Sequence, residues 1–132
     1  MTQEKKSLPA WILIVSSLFA VMELSVSFSM CFSPQSSLEM VDLKAKGVEY
    51  LIYMWAGRQF ALGFIFGFAT LKKSVPMLTL AYIFLLVMFI CDTFVGVSQH
   101  QNTLIIAGLV MCAISSTMLY FVNKPKQELA KN

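Results

Sequence analysis

Charge is scarce in this sequence. Only 13% of its 132 residues are Asp, Glu, Lys or Arg, where a soluble domain carries about 25%. Histidine occurs once, at His100, and the three cysteines (Cys31, Cys91 and Cys112) include no C-x-x-C pair. One histidine in a connection cannot supply paired axial ligands to a haem held inside a bundle. A redox dithiol would want the missing C-x-x-C spacing. No His, Cys, Asp and Glu set has the pattern of a zinc or di-iron site. Neither a metal nor a cofactor is therefore expected.

Apolar residues fill the space that charge leaves. They make up 58% of the chain, with eleven Phe and nine Met, and the mean hydropathy is +0.72. A compact soluble fold of this size cannot hide so much apolar surface. A soluble enzyme, a nucleic-acid-binding module and a disordered chain are excluded on that ground. The composition calls for lipid as the main solvent, and for an all-α integral membrane protein. In that setting the Met and Phe residues read as lipid-facing and core filler rather than a cofactor box.

Four apolar runs stand out: Pro9–Phe32, Tyr50–Leu71, Val75–Val97 and Thr103–Val122. Each is near the ~20 residues that a bilayer helix requires. Ser7 precedes Pro9, Ser74 precedes Pro76, and Asn102 precedes the fourth run. Proline fits a first turn, and Ser or Asn fits an N-cap. Pro125 follows the last run and would stop it. Trp11 and Tyr50 lie near run ends, where amphipathic rings favour the membrane interface. Residues 1–132 are thus expected to form one four-helix transmembrane bundle.

Lysine placement sets the expected orientation. Lys5, Lys6, Lys72, Lys73, Lys124, Lys126 and Lys131 share one side of a four-span topology. The other side has only Lys44 and Lys46, offset by Glu39, Asp42 and Glu49. The positive-inside rule then puts both termini in the cytoplasm. The net charge of +3 is a topology signal and calls for no nucleic-acid partner. Lys5 and Lys6 with Ser27-Phe28-Ser29 loosely resemble a cleaved signal peptide, but the run is long for one and holds Glu23, so it is expected to stay. No lipidation box surrounds Cys31 or closes the tail.

The long connection, Ser33–Glu49, opens on Ser33-Pro34 as a helix start would, and Gly47 closes it as a C-cap would. Leu38, Val41 and Ala45 fall at helical spacing between charges. Two readings stay open: a short amphipathic helix on the outer surface, or an irregular polar loop.

Three ionisable residues lie within the runs: Glu23, Arg58 and Asp92. At a helical rise of ~1.5 Å per residue, they sit about 12–14, 12 and 8 Å from the outer ends of their spans. Three independent helices thus bring charge to one layer. An isolated charge in hydrocarbon costs at least ~2.5–3.5 kcal/mol, so each should face the bundle and find a partner. The five-donor fork of arginine can hold two carboxylates, and a Glu23–Arg58–Asp92 cluster is expected. One cation against two acids leaves one carboxyl to share a proton, as a relay or general acid needs. The competing reading is structural, since buried ion clusters also fix helix register with no chemistry. Ser16, Ala20 and Ser27 share the face of Glu23, and Thr93 adjoins Asp92, which would suit a hydrated pocket or ordinary packing.

Small residues mark packing faces. Gly63 and Gly67 form a G-x-x-x-G roughly opposite Arg58, and Gly108, Cys112 and Ser115 line the fourth run. Such stripes let helices approach closely, within the bundle or between subunits. Cys31 and Cys91 both fall toward the outer side, so they either pair or act as small buried apolar residues.

The segment Ala56-Gly57-Arg58-Gln59-Phe60-Ala61-Leu62-Gly63, with Asp92 some 30 residues on, resembles the G-x-R-x-x-A-L-G…D pattern of small four-helix membrane proteins of the DoxX-like kind. Pro34, soon after the first run, suits that pattern too. The resemblance spans about residues 10–122 and singles out Gly57, Arg58, Gly63 and Asp92. It implies a four-helix bundle in a bacterial inner membrane and no particular reaction. Glu23 is not part of it.

The leading expectation is a small multi-pass membrane protein that acts as a binding or accessory component through its polar cluster. Its partners would be membrane lipid and a lipophilic small molecule. One alternative is an intramembrane enzyme on a quinone-, sterol- or terpenoid-like substrate, with Glu23 or Asp92 as general acid. Others are a proton-coupled transporter and a structural subunit of a larger complex or homo-oligomer. The two halves show no repeat of the kind transporters carry.

Overall fold

A computed structural model describes residues 8–37 and 42–124. Among them the chain is entirely helical: α1 (Ala10–Phe32), α2 (Pro34–Ser37), α3 (Val48–Leu71), α4 (Val75–Ser98) and α5 (Asn102–Asn123). The four long helices, α1, α3, α4 and α5, are each long and apolar enough to cross a membrane. Their outward faces are apolar as well, with Leu18, Phe64, Leu80 and Leu109 all exposed. A bundle folded for water would carry charge there.

The helix starts follow proline more closely than side-chain caps. Pro9 is the N-cap of α1, and its carbonyl accepts from Ile12 and Leu13 at 3.1 and 3.4 Å. Ser74 caps α4 in an extended conformation without a side-chain bond, and Pro76 lies in the first turn. Asn102 is the first residue of α5, with Gln101 as N-cap; the expected cap is displaced by one residue. Ser7 and Pro125 lie outside the described residues.

Two tight reversals join the helices. After α3, Ser74 N–H donates to the Ala69 carbonyl and Lys73 N–H to that of Thr70, both at 3.1 Å. After α4, Gln101 bonds back to Gly96 at 2.9 Å and His100 to Val97 at 3.3 Å. These are Schellman closures, which place the residue after the C-cap in the left-handed region. Lys73 and His100 occupy that place, at φ 51° and 54°. The lone histidine therefore turns the chain.

The connection after α1 is a single helical turn, α2, followed at residues 42–47 by bends and turns, not a helix. Asp42 Oδ1 accepts from the Lys44 N–H at 3.0 Å. Ala45 belongs to these turns; Leu38 and Val41 lie outside the described residues. Gly47 is left-handed (φ 91°) but does not close a helix. It precedes Val48 as the N-cap of α3, because the chain must reverse before that helix can begin.

Packing divides the bundle into two antiparallel hairpins. α1 packs chiefly on α3 and α4 on α5, with a lighter α3–α4 seam between. On α1, Ile12, Ser16, Phe19, Ala20, Glu23, Ser27 and Met30 are buried, the stripe that a 3.6-residue period generates. Phe19 and Phe66 stack near Tyr82, their ring centroids 4.9–5.9 Å apart. Ser16 Oγ shares a 2.8 Å hydrogen bond with the Tyr82 hydroxyl, and Ser27 Oγ donates to the Ala56 carbonyl at 2.8 Å.

The glycines differ. A Cβ on Gly63 would meet Leu24 Cγ at 2.8 Å and the α1 backbone at 3.1 Å, whereas one on Gly67 would meet only Ala20 Cβ, at 3.9 Å. Gly108 lies hard against Thr93 and the Phe89 carbonyl of α4. The cysteines are all free; Cys31 and Cys91 are exposed and Cys112 half-buried, so none is the deeply buried filler expected.

Candidate functional site

The α1–α3 register decides which polar side chains meet. Ser27 bonds to Ala56, and Gly63 lies on Ala20 and Leu24. Antiparallel pairing between those contacts sets Glu23 of α1 level with Gln59 and Phe60 of α3. Glu23 is 2% exposed, centred on the buried stripe of its helix. Asp92 continues the buried stripe of α4 that runs through Leu78, Leu85 and Met88. Arg58 lies at the edge of the buried face of α3, on the side turned toward α4.

Arg58 Nη2 stands 3.9 Å from Asp92 Oδ1, their side chains 42% and 21% exposed. That separation holds opposite charges together but exceeds hydrogen-bond length. Glu23 lies on α1 between Ala20 and Ser27, the residues that touch Gly63 and Ala56 of α3. Among the described residues, however, Glu23 makes neither an ion pair nor a hydrogen bond. The geometry therefore brings Arg58 and Asp92 together without the two-carboxylate fork expected of Arg58. Its pair is with Asp92, and Glu23 lies deeper.

The serines and threonine expected near the cluster are committed elsewhere. Ser16 and Ser27 tie α1 to α4 and α3, and Thr93 Oγ1 donates to the Phe89 carbonyl of its own helix at 2.7 Å. Two other residues take their place. Gln59 is 6% exposed with an Oε1 unpartnered among the described residues, and Trp55 has a buried Nε1 likewise unpartnered among them. Both lie within one turn of Arg58. The signal for Gln59 was in the sequence: Ile52, Ala56, Gln59, Gly63 and Phe66 recur at intervals of three and four. Ser115 Oγ is also buried without a partner among the described residues.

Of the remaining motif positions, Gly57 is exposed, with nothing within 4 Å of where a Cβ would stand. Two clefts, about 700 and 330 Å³, open where α1 ends and α3 begins; neither is lined by Glu23, Arg58 or Asp92. No group of three or more His, Cys, Asp or Glu side chains among the described residues is placed to hold a metal ion.

Chemically, the cluster offers donors and acceptors in an apolar setting. Guanidinium carries five N–H donors, and the long contact to Asp92 fills none of them at hydrogen-bond distance. The Trp55 N–H is a further donor. The Glu23 carboxyl and Gln59 Oε1 are acceptors. No family model, curated protein or solved structure matches the chain.

Proposed function

We propose that this chain is a small multi-pass membrane protein, with both termini cytoplasmic, that binds a lipophilic molecule by its polar head. The Glu23–Arg58–Asp92 cluster is the binding group, and the protein acts as a binding or accessory component. The observation that carries this reading is Arg58: half-exposed at the edge of the lighter α3–α4 seam, with its donors unfilled at hydrogen-bond distance among the described residues. An ionic side chain so placed in hydrocarbon is costly and is retained where it has work to do. A quinone-like carbonyl or another acceptor-bearing head satisfies those donors. The DoxX-like pattern around Arg58 and Asp92 supports placement in a bacterial inner membrane.

The test is retention of a bound compound. Detergent-purified protein is extracted with organic solvent, and the extract is compared with that of Arg58→Gln by mass spectrometry. A lipophile present in the parent extract and lost from the variant is expected. Identical extracts would overturn the reading.

Orientation carries its own prediction. With seven lysines on one side against two on the other, reporter fusions at residue 132 should be active only in a cytoplasm-reading format. Labelling of that terminus from outside would reverse the topology.

A second reading rests on Glu23, an acid 2% exposed and without a hydrogen-bond partner among the described residues. It suits a general acid for an intramembrane reaction on the same class of lipophile. Turnover lost in Glu23→Gln, with the lipophile still bound, would favour it over binding alone.

A further inference from the structure

The two clefts beside the α1–α3 junction form a path separate from the charged cluster. The larger, about 700 Å³, has Lys44 and Glu49 on its wall. The smaller, about 330 Å³, runs between α1 and α3 past Phe28, Phe60 and Gly57. Both are lined by Cys31, Phe32 and Tyr53, so one continues into the other. The path is charged at the end of the bundle and apolar along its side. Each part falls in the ~300–1,000 Å³ range of small-molecule sites.

Two details say what fits. Gly57 adds no side chain to the groove wall, and a Cβ there would meet nothing within 4 Å. No packing contact requires that glycine, although glycine weakens a helix interior relative to alanine. Above it, Lys44 and Glu49 present opposite charges to the same space and make no ion pair among the described residues. From Tyr53 to Phe60 the groove descends about 10 Å along the helix axis, at ~1.5 Å per residue.

We propose that this path holds one zwitterionic phospholipid with an amine head. Its phosphate faces Lys44, its ammonium faces Glu49, and an acyl chain lies in the groove beside Phe28, Phe60 and Gly57. An anionic head would set a net negative charge against Glu49. A sterol or quinone head would leave both charges without a counterpart. Charge complementarity therefore selects the zwitterion, and the groove selects a chain.

Native mass spectrometry of the detergent-purified full chain, titrated with dioleoyl-phosphatidylethanolamine or dioleoyl-phosphatidylglycerol, tests this. One ethanolamine lipid per chain is expected, bound about tenfold more tightly than the glycerol lipid, the ratio that one lost charged contact of ~1.4 kcal/mol produces. Lys44→Glu should weaken ethanolamine-lipid binding by a similar factor, and the swap Lys44→Glu with Glu49→Lys should restore it. Gly57→Leu should also weaken it, by filling the groove. Neither cleft is lined by Glu23, Arg58 or Asp92, which separates this site from the cluster proposed above, and Gly67→Ala, outside both clefts, should leave lipid binding unchanged. Equal binding of the two lipids, or affinity indifferent to both Lys44→Glu and Gly57→Leu, would overturn the proposal.

Discussion

Arg58→Leu is expected to destabilise the bundle by about 3 kcal/mol, more than Glu23→Gln or Asp92→Asn does. The substitution leaves two carboxyls near one another with no cation, one of them 2% exposed. A carboxylate in a hydrocarbon setting costs at least ~2.5–3.5 kcal/mol on insertion scales, so at least one must take up a proton or the helices must part. Removing either acid instead leaves Arg58 with one carboxylate still near, and each neutral amide occupies its predecessor's volume. Reversible unfolding in mixed micelles, followed by helical content, measures the order of the three variants. The charge-free combination Arg58→Leu, Glu23→Gln, Asp92→Asn should recover most of the loss, because replacing a whole buried ion group is often neutral or stabilising. Recovery of stability without recovery of the proposed lipophile binding is the outcome that makes the cluster a site. Recovery of both would make it a device for helix register. An Arg58→Leu variant as stable as the parent would show that the three charges do not depend on one another.

The same comparison of stability and binding explains which features could be read before the fold was known. The four long helices were legible because a bilayer-length apolar run has no other stable conformation in lipid: its backbone groups must pair internally. Pro9, Pro76 and the lysine pair at 72–73 mark their ends to within two residues. The nearness of Arg58 and Asp92 was legible from rise per residue, since the two count to similar distances from their helix ends. How the side chains meet was not, because it depends on the lateral register of α1 on α3 and on which edge of α3 faces α4. That is why Arg58 pairs with Asp92 at 3.9 Å while Glu23 lies apart. Gln59 and Trp55 carry no formal charge, yet burial makes a neutral amide or an indole N–H equally consequential. Gly47 illustrates a local limit. Its left-handed backbone follows from its being glycine at a reversal, but a reversal can equally end one helix or precede the next.

The G-x-x-x-G of α3 shows most sharply what sequence spacing leaves open, and its two glycines are expected to respond with opposite signs. A methyl on Gly63 would stand 2.8 Å from Leu24 Cγ and 3.1 Å from both Leu24 N and the Ala20 carbonyl. Two of those atoms are backbone, so relief requires α1 to move as a body. Overpacking of this kind typically costs about 1–3 kcal/mol, and Gly63→Leu should cost more than Gly63→Ala. At Gly67 the added methyl meets Ala20 Cβ at 3.9 Å, an ordinary contact. Gly67→Ala should therefore gain the roughly 0.5–1 kcal/mol by which alanine exceeds glycine in a helix interior. Leu24→Ala in the Gly63→Ala background should return part of the loss, since it removes the side-chain collision but not the backbone ones. The shift forced at Gly63 also has a remote consequence. Glu23 lies between Ala20 and Leu24, so displacing that turn of α1 moves the acid away from Arg58 and Asp92. If the proposed lipophile is bound at the cluster, Gly63→Ala should thus lower its retention even in molecules that remain folded, while Gly67→Ala leaves it intact. Equal effects of the two alanine variants on stability would mean that α1 does not rest on Gly63, and the register that levels Glu23 with Gln59 would fall with it.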